Sequence, residues 1–114
     1  MTLSVGSIIE VEVPFTGGAD AAGATSKRRP VLVVCAPDAL GDCIGLPVTG
    51  TGHHPNTRPI TDGQLAVGNM KKASFVRVRQ PITFHSARAG RQYATLTDTA
   101  LMAVRKDMCK ALGC

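Results

Sequence analysis

Three cations, Lys27, Arg28 and Arg29, directly precede a short apolar run at residues 31–34. This β-branched run predicts a buried strand, and Pro30 fits the first residue of that strand because it has no N–H to donate to a sheet. A guanidinium held at the rim of a rigid sheet can bind a phosphate through two parallel hydrogen bonds. By themselves, however, these residues favour the simpler interpretation of a solvated basic loop in front of a strand.

Hydroxyl groups and two further arginines lie near the ends of other predicted strands. Thr49 and Thr51 flank a glycine in a loop where backbone N–H groups and hydroxyls can approach a ligand closely, although an ordinary polar turn is an equal alternative. In the predicted strand 74–80, Arg77 and Arg79 share one face and lie about 7 Å apart. Both sets of side chains are therefore candidates for contact with an anionic ligand.

Such groups suit the cleavage of RNA, which carries its own nucleophile. The 2′-hydroxyl attacks the adjacent phosphate, so an enzyme need only stabilise charge on the phosphoryl oxygens and assist proton transfer. Arginines and hydroxyl donors provide the first function directly. The second is harder for them, because an arginine side chain is essentially always protonated.

Length, charge and composition bound the possible functions. The 114 residues, 44% of them hydrophobic, predict one folded domain, residues 1–114, rather than a disordered chain. The net charge of +5 favours a polyanionic partner, either nucleic acid or an acidic protein. No apolar stretch reaches about 18 residues and no signal-peptide pattern is visible, so we expect a cytoplasmic protein without membrane association and with reduced cysteines.

The cysteines and histidines do not have the spacing of a metal site. Cys35, Cys43, His53 and His54 form neither a Cys-x-x-Cys pair nor a zinc-finger pattern, so we expect no metal and no cofactor. The sequence also contains no nucleophile elbow, P-loop or dinucleotide fingerprint.

The pattern of apolar residues predicts a mainly β fold. Apolar and polar residues alternate along residues 7–13, with Ile9, Val11 and Val13 on one face and Glu10 and Glu12 on the other, as in a half-buried strand. Residues 43–49 predict an edge strand or a bulged strand, because they contain a glycine and a proline. Further short strands are predicted at residues 31–34, 58–61, 65–67, 74–80, 82–84 and 92–96, with a turn near residue 62 and a mobile loop at residues 17–26. This succession indicates a strongly bent antiparallel sheet or a partly open barrel.

A C-terminal helix should close this sheet. Thr97 is a suitable N-cap, and Gly113 is a stop signal. The apolar stripe that should face the core consists of Leu101, Val104, Met108 and Leu112.

Four segments, taken in order, resemble the MazF/PemK/Kid family of toxin endoribonucleases from type II toxin–antitoxin systems. Residues 29–34, RPVLVV, are similar to the family element of that sequence, and residues 46–49, LPVT, to its PVT or PLT element. Residues 74–81, SFVRVRQP, are similar to its VVRxDQPRT element. The opening, with Gly6 and residues 13–16, is similar to its GDIxxVDFPFT element, so the resemblance spans nearly the whole chain.

This resemblance implies a small SH3-like antiparallel barrel of the CcdB/PemK type with a C-terminal α-helix. It also implies a homodimer, metal-independent and sequence-specific cleavage of single-stranded RNA or mRNA, and neutralisation by an acidic antitoxin. Position by position, it implies catalytic roles for Arg29, Thr49 and Arg77. RNA in a basic groove between two subunits would contact the remaining candidates, which are Phe15, Lys27, Arg28, Thr51, Arg79 and Gln80.

The chain departs from the Kid branch of this family in its acidic residues and its histidines. Arg79 stands where that branch has an aspartate, which is a candidate general base. Ser7 follows Gly6 where that branch has an acidic residue, and the loop before Arg29 lacks a histidine. The group that accepts the proton from the 2′-hydroxyl is therefore not provided by the matched motifs.

Three explanations for this departure are open. Arg29 and Thr49 suffice, or His53 or His54 accepts the proton, or the chain binds RNA and cuts it poorly. The missing aspartate also leaves two other functions open: a non-cleaving toxin of the same fold that acts by binding a protein, as gyrase poisons do, and a nucleic-acid-binding adaptor.

Overall fold

The computed structural model describes residues 3–14, 23 and 26–114. The interpretation of residues 17–26 as a mobile loop therefore falls largely outside the described residues. The described strands, in chain order, are β1 (Ser7–Pro14), β2 (Ser26–Cys35), β3 (Asp42–Thr49), β4 (Thr57–Ile60), β5 (Leu65–Gly68), β6 (Ser74–Arg77), β7 (Ile82–His85) and β8 (Gln92–Leu96). One helix, α1 (Asp98–Leu112), follows β8, and short 3-10 helices lie at Asp62–Gln64 and Ser86–Arg88.

The strands form one bent, antiparallel sheet. Its order is β4-β6-β3-β2-β1-β8-β5, and β7 also pairs with β3. Strand β3 is shared between two neighbours on one edge, because its first half pairs with β7 and its last two residues pair with β6. The predicted mainly β architecture, a curled antiparallel sheet closed by a C-terminal helix, is confirmed.

Alternation along the strands divides the apolar residues between two cores. The helix-side core contains Ile8, Leu32, Val34, Leu46, Val48 and Val76 together with Ala100, Leu101 and Val104 of α1. The second core, on the opposite face, contains Ile9, Val11, Val13, Val31, Val33, Cys43 and Phe84. The predicted separation of Ile9, Val11 and Val13 from Glu10 and Glu12 is part of this pattern, since side chains on a strand alternate between faces.

Strand β2 begins four residues before Pro30, so the prediction that Pro30 starts the strand is wrong. Pro30 pairs with Glu10 of β1, whose N–H donates to the carbonyl of Arg91, the residue before β8, and thus points away from β2. Pro30 is therefore at a position where β1 needs no donor from it. Its nitrogen faces the β3 side, where pairing ends at Val31 and Pro47. Lys27, Arg28 and Arg29 consequently belong to a strand and not to a loop.

Three other strands differ from the predictions in length, position or pairing. Strand β6 ends at Arg77 and not at residue 80, because the chain turns there and the Gln80 N–H donates to the Arg77 carbonyl over 3.3 Å. Strand β3 is not at an edge, since it pairs on both sides, but its pairing with β2 shifts register between Val33 and Cys35, in agreement with the alternative prediction of a bulge. The predicted turn near residue 62 is the 3-10 helix Asp62–Gln64, and the strands on either side of it have different partners, since β4 pairs with β6 and β5 pairs with β8.

The helix has the predicted ends. The Thr97 hydroxyl oxygen accepts a hydrogen bond from the Ala100 N–H, and Gly113 ends the helix with a left-handed φ of 85°. Leu101 and Val104 are buried as expected, but Leu112 is 49% exposed, so its assignment to the core is wrong. Neighbouring Ala111 packs against the helix-side core instead. No helix in the described part of the chain has the length and apolar character needed to cross a membrane.

The cysteines are not all reduced thiols. Cys109 and Cys114 form a disulfide, with Cα atoms 5.0 Å apart, whereas Cys35 and Cys43 are free. The expectation of reduced cysteines is therefore wrong for this pair. The left-handed turn at Gly113 folds the last residue back towards the helix, and this turn brings the two cysteines within bonding range.

Two leucine substitutions test which leucines contribute to the core and which lie at the surface. Leu32→Ala should lower the free energy of unfolding by about 2–5 kcal/mol, because it removes fully buried methyl groups and leaves a cavity. Leu112→Ala is the matched control and should change the free energy of unfolding by no more than about 0.5 kcal/mol. Urea unfolding followed by circular dichroism measures both values, and equal losses would contradict the assignment of Leu112 to the surface.

Candidate active site

The pleat of β2 separates its three consecutive cations. Lys27 and Arg29 alternate in step with Val31 and lie on the face of the second core, whereas Arg28 lies on the opposite face. Arg28 is held there by Glu10, since its Nε donates to Glu10 Oε1 over 2.8 Å. The three charges therefore do not form one patch, and that of Arg28 is balanced within the chain.

Glu10 receives a second hydrogen bond from β8. The Tyr93 hydroxyl donates to Glu10 Oε2 over 3.0 Å, so one carboxylate links β1, β2 and β8. These two bonds, with that from Arg28 the stronger influence, hold the pKa of Glu10 below its usual range. Burial, together with the bond to Glu10, raises the pKa of Tyr93. Tyr93 thus remains a neutral phenol whose hydrogen is committed to Glu10.

A cavity of about 670 Å³ opens where β3 leaves β2. Pairing between these strands ends at Val31 and Pro47, after which β3 follows β6, and a gap results between Pro30 and Thr49. We call this space the Thr49 cavity. Its polar lining includes Thr49, Asn69, Lys71, Lys72, Arg91 and Tyr93.

The hydroxyl of Thr49 is held by the loop that follows it. The Thr51 N–H donates to Thr49 Oγ1 over 3.2 Å, so the oxygen acts as an acceptor in this contact. The hydroxyl hydrogen of Thr49 can then be donated to a ligand. Thr51 contributes its backbone to this arrangement, not its own hydroxyl.

A second depression contains the arginines that follow β6. Arg77, Arg79 and Gln80 line a groove of about 240 Å³ together with Pro55 and Asn56. We call it the Arg77 groove. The turn after Arg77 brings Arg79 and Gln80 beside it, although the strand predicted to carry all three ends early. Asn56 has a left-handed φ of 59°, a conformation that asparagine tolerates better than most residues.

The three predicted catalytic residues share one face of the sheet but not one depression. Thr49 and Arg77 each follow a residue of the helix-side core, so both project from the opposite face, which is also the face of Arg29. Thr49 lies in the Thr49 cavity, and Arg77 lies in the Arg77 groove. Arg29 lines neither; its neighbour Pro30 forms the cavity wall. The structure therefore places Thr49 and Arg77 in two separate depressions and Arg29 in the lining of neither.

The other predicted site residues are less closely associated. Lys27 is exposed, and Phe15 lies outside the described residues. His53 and His54 stack on each other with ring centroids 5.2 Å apart, and neither lines the Thr49 cavity or the Arg77 groove.

Most of the charge around the Thr49 cavity was not predicted from the sequence. Lys71 and Lys72 form a visible pair in the sequence, and Arg91 and Tyr93 have the spacing of one strand face. No local pattern relates these residues to Thr49, however. Lys71 and Lys72 follow β5, Arg91 and Tyr93 lie just before and within β8, and the two segments come together only because β8 pairs with β1 and β5.

The Glu10 contacts predict a pH-dependent contribution to stability. Since the folded chain holds the pKa of Glu10 below its usual range, the ionised carboxylate stabilises the fold above that range, and the contribution is lost as the pH falls through the lowered pKa. Glu10→Gln should therefore unfold at lower urea than the wild type at about pH 7, and the difference should shrink as the pH falls through the lowered pKa of Glu10.

The matched control for this measurement is Glu12→Gln. It removes an exposed carboxylate from the same face of β1, but Arg28 donates to Glu10 and not to Glu12. Glu12→Gln should thus lower the urea midpoint less. A constant difference between wild type and Glu10→Gln over the acid range would contradict the proposed role of the carboxylate.

Solved toxin structures share this bent sheet and C-terminal helix. The MazE–MazF structure from Deinococcus radiodurans matches with a TM-score of 0.70 and 20% identity, over 97% of this chain and 96% of that chain. The Mycobacterium tuberculosis toxin MazF-mt6 matches with a TM-score of 0.63 and 18% identity, over 92% and 96%. An endoribonuclease from a mycobacterial species, solved with its cognate antitoxin, gives 0.66 and 14%, over 99% and 96%. At these identities the similarity establishes the fold.

Sequence comparison establishes the family. A search with the whole sequence matches no curated protein at a significant level. The family model for the PemK-like, MazF-like toxin of type II toxin–antitoxin systems, however, matches residues 4–112. This match covers almost the entire chain and agrees with the fold, and the chain therefore belongs to the PemK-like, MazF-like family of type II toxin–antitoxin toxins.

Proposed function

We propose that this toxin is an endoribonuclease that cleaves single-stranded RNA at short sequences without a metal ion. The observation that carries the proposal is the Thr49 cavity, whose lining brings Thr49, at the end of β3, together with Lys71, Lys72 and Arg91. Arg29 directly precedes Pro30, which lines the cavity. Arg77 projects from the same face of the sheet as Arg29 and Thr49. RNA that spans both depressions along this face would therefore meet donors from β2, β3 and β6.

The chemistry needs little more than these donors. The 2′-hydroxyl oxygen of the RNA bonds to the adjacent phosphorus, and the bond from phosphorus to the 5′-oxygen breaks, which yields a 2′,3′-cyclic phosphate and a 5′-hydroxyl end. Arg29 and Arg77 would stabilise the negative charge on the phosphoryl oxygens in the transition state, and Thr49 would add a hydrogen bond.

The proton of the 2′-hydroxyl must leave and the 5′-oxygen must gain one. Neither His53 nor His54 lines the Thr49 cavity or the Arg77 groove, and Arg79 replaces the aspartate of the Kid branch. We therefore favour the explanation in which Arg29 and Thr49 suffice and water carries both protons. Lys27, Arg79 and Gln80 would hold the flanking nucleotides. Arg28 would contribute less, because Glu10 competes with phosphate for its guanidinium.

The partners proposed for this chain are a second copy of itself and an acidic antitoxin, and the proposed location is the cytoplasm. MazF of Deinococcus radiodurans is solved with MazE, and the similar mycobacterial endoribonuclease is solved with its cognate antitoxin. The net charge of +5 would favour an acidic protein of this kind as well as RNA.

Cleavage in the presence of a chelator tests the enzymatic function. Purified protein incubated with a long single-stranded RNA and EDTA should give discrete fragments that end in 2′,3′-cyclic phosphates, since the nucleophile belongs to the RNA. Gel electrophoresis and end mapping detect these products. Intact RNA at high protein excess, beside an active toxin of the same family, would refute the proposal; RNA binding without fragments would favour the adaptor function.

Removal of Arg29 tests the assignment of the phosphate site. Arg29→Ala should slow cleavage by about 100-fold or more, the loss expected when one donor to a transition-state oxyanion is removed. Arg88→Ala is a matched control, because Arg88 is exposed in the 3-10 helix Ser86–Arg88 and should leave the rate within about twofold. Single-turnover cleavage of a short RNA measures both rates, and an unchanged rate for Arg29→Ala would show that another arginine holds the phosphate.

A further inference from the structure

We propose that the Thr49 cavity is a nucleobase-binding subsite in which Tyr93 contacts the edge of a base and Lys71 and Lys72 contact its phosphate. The proposal rests on the proposed function only in taking RNA as the ligand. It gives a role in RNA recognition to Tyr93 of β8 and to Lys71 and Lys72 before β6, which lie outside the matched family motifs.

The size and chemistry of the cavity fit a nucleotide. Its volume of about 670 Å³ falls within the range of small-molecule pockets, roughly 300–1,000 Å³. Pro30, Val48 and Met70 give it an apolar part, while Lys71, Lys72 and Arg91 give it positive charge. None of the described residues that line it is acidic. A planar apolar base joined to an anionic phosphate matches this combination.

The Tyr93 side chain is fixed before a ligand arrives. Its hydroxyl donates to Glu10, which is held in turn by Arg28, and the Arg91 guanidinium carbon lies 5.2 Å from the centre of its ring. Because the only hydrogen of the hydroxyl is committed, the oxygen can offer a ligand only its remaining lone pair. Tyr93 would therefore accept a hydrogen bond from an amino or imino group, which nucleobases present on their edges.

An acidic peptide is the other ligand that a basic cavity could hold. Its carboxylates would pair with Lys71, Lys72 and Arg91, but they would leave the apolar part of the cavity without a partner, whereas a base fills that part and donates to the Tyr93 oxygen with the same planar group. The observations therefore favour a nucleotide, and peptide binding becomes an outcome of the test.

Tyr93 is the only tyrosine of the chain, so a single label reports on the cavity. Protein prepared with meta-fluorotyrosine should give one fluorine NMR signal. Titration with the four nucleoside monophosphates should shift this signal in a saturable way, whereas ribose 5-phosphate and oligoglutamate at equal concentrations should not. Three results would overturn the proposal. A shift with ribose 5-phosphate as large as that with the nucleotides would indicate a site for phosphate alone, and one as large with oligoglutamate would indicate a peptide site. The third result is no shift with any nucleotide.

Binding of an uncleavable RNA by variants gives a second measurement. On a 2′-O-methyl RNA, the double substitution Lys71→Ala, Lys72→Ala should weaken binding about tenfold or more, and Tyr93→Phe should weaken it about 3- to 10-fold through the loss of one acceptor. Lys106→Ala, an exposed lysine of α1, is the charge control and should change affinity less than about twofold. Equal losses from Lys106→Ala and the double substitution would show that charge at the cavity has no special role.

The two proposals fail in different ways. Intact RNA in the EDTA assay, together with a nucleotide-dependent Tyr93 signal, would remove the enzymatic function and keep the subsite. Cleaved RNA with an unresponsive Tyr93 signal would keep the enzymatic function and remove the subsite.

Discussion

The separation of β3 from β2 is the feature on which the candidate site depends. Pro30 has no N–H, and its nitrogen faces the side of β2 that β3 leaves after Val31 and Pro47. No donor of β2 is therefore left unsatisfied at that point, and β3 can continue along β6 instead. The gap between the two strands forms part of the Thr49 cavity, which both Pro30 of β2 and Thr49 of β3 line.

The same strand geometry distributes the charges. A strand alternates its side chains between faces, so three adjacent cations cannot act together. Arg29 projects beside the second core, and Arg28 is retained by Glu10 on the other face. Glu10 also accepts a hydrogen bond from Tyr93, and this contact links Arg28 of β2 and Glu10 of β1 to the part of the Thr49 cavity that β8 lines. Glu10 is thus part of the site, although its side-chain hydrogen bonds are to Arg28 and Tyr93 and not to a predicted catalytic group.

Features that depend on near neighbours in the sequence could be predicted well. The alternation of β1, the buried run of β2 and the caps of α1 follow from residue type and spacing, and the family resemblance carried by short motifs agrees with the family model over residues 4–112. Features that depend on distant partners were predicted poorly. The length of β6, the central position of β3 and the exposure of Leu112 depend on which segments meet, and no local pattern records this.

The sequence by itself determined the type of fold, the family and the chemistry on offer: arginines and hydroxyls at strand ends, with no acid in the motif that usually carries one. Only the tertiary structure decided how these groups are distributed. It placed Thr49 in one depression and Arg77 in another, and it added Lys71, Lys72, Arg91 and Tyr93 to the first. The physical reason is that a cavity between strands is defined by where their hydrogen-bonded pairing stops, and pairing joins residues that lie far apart in the chain.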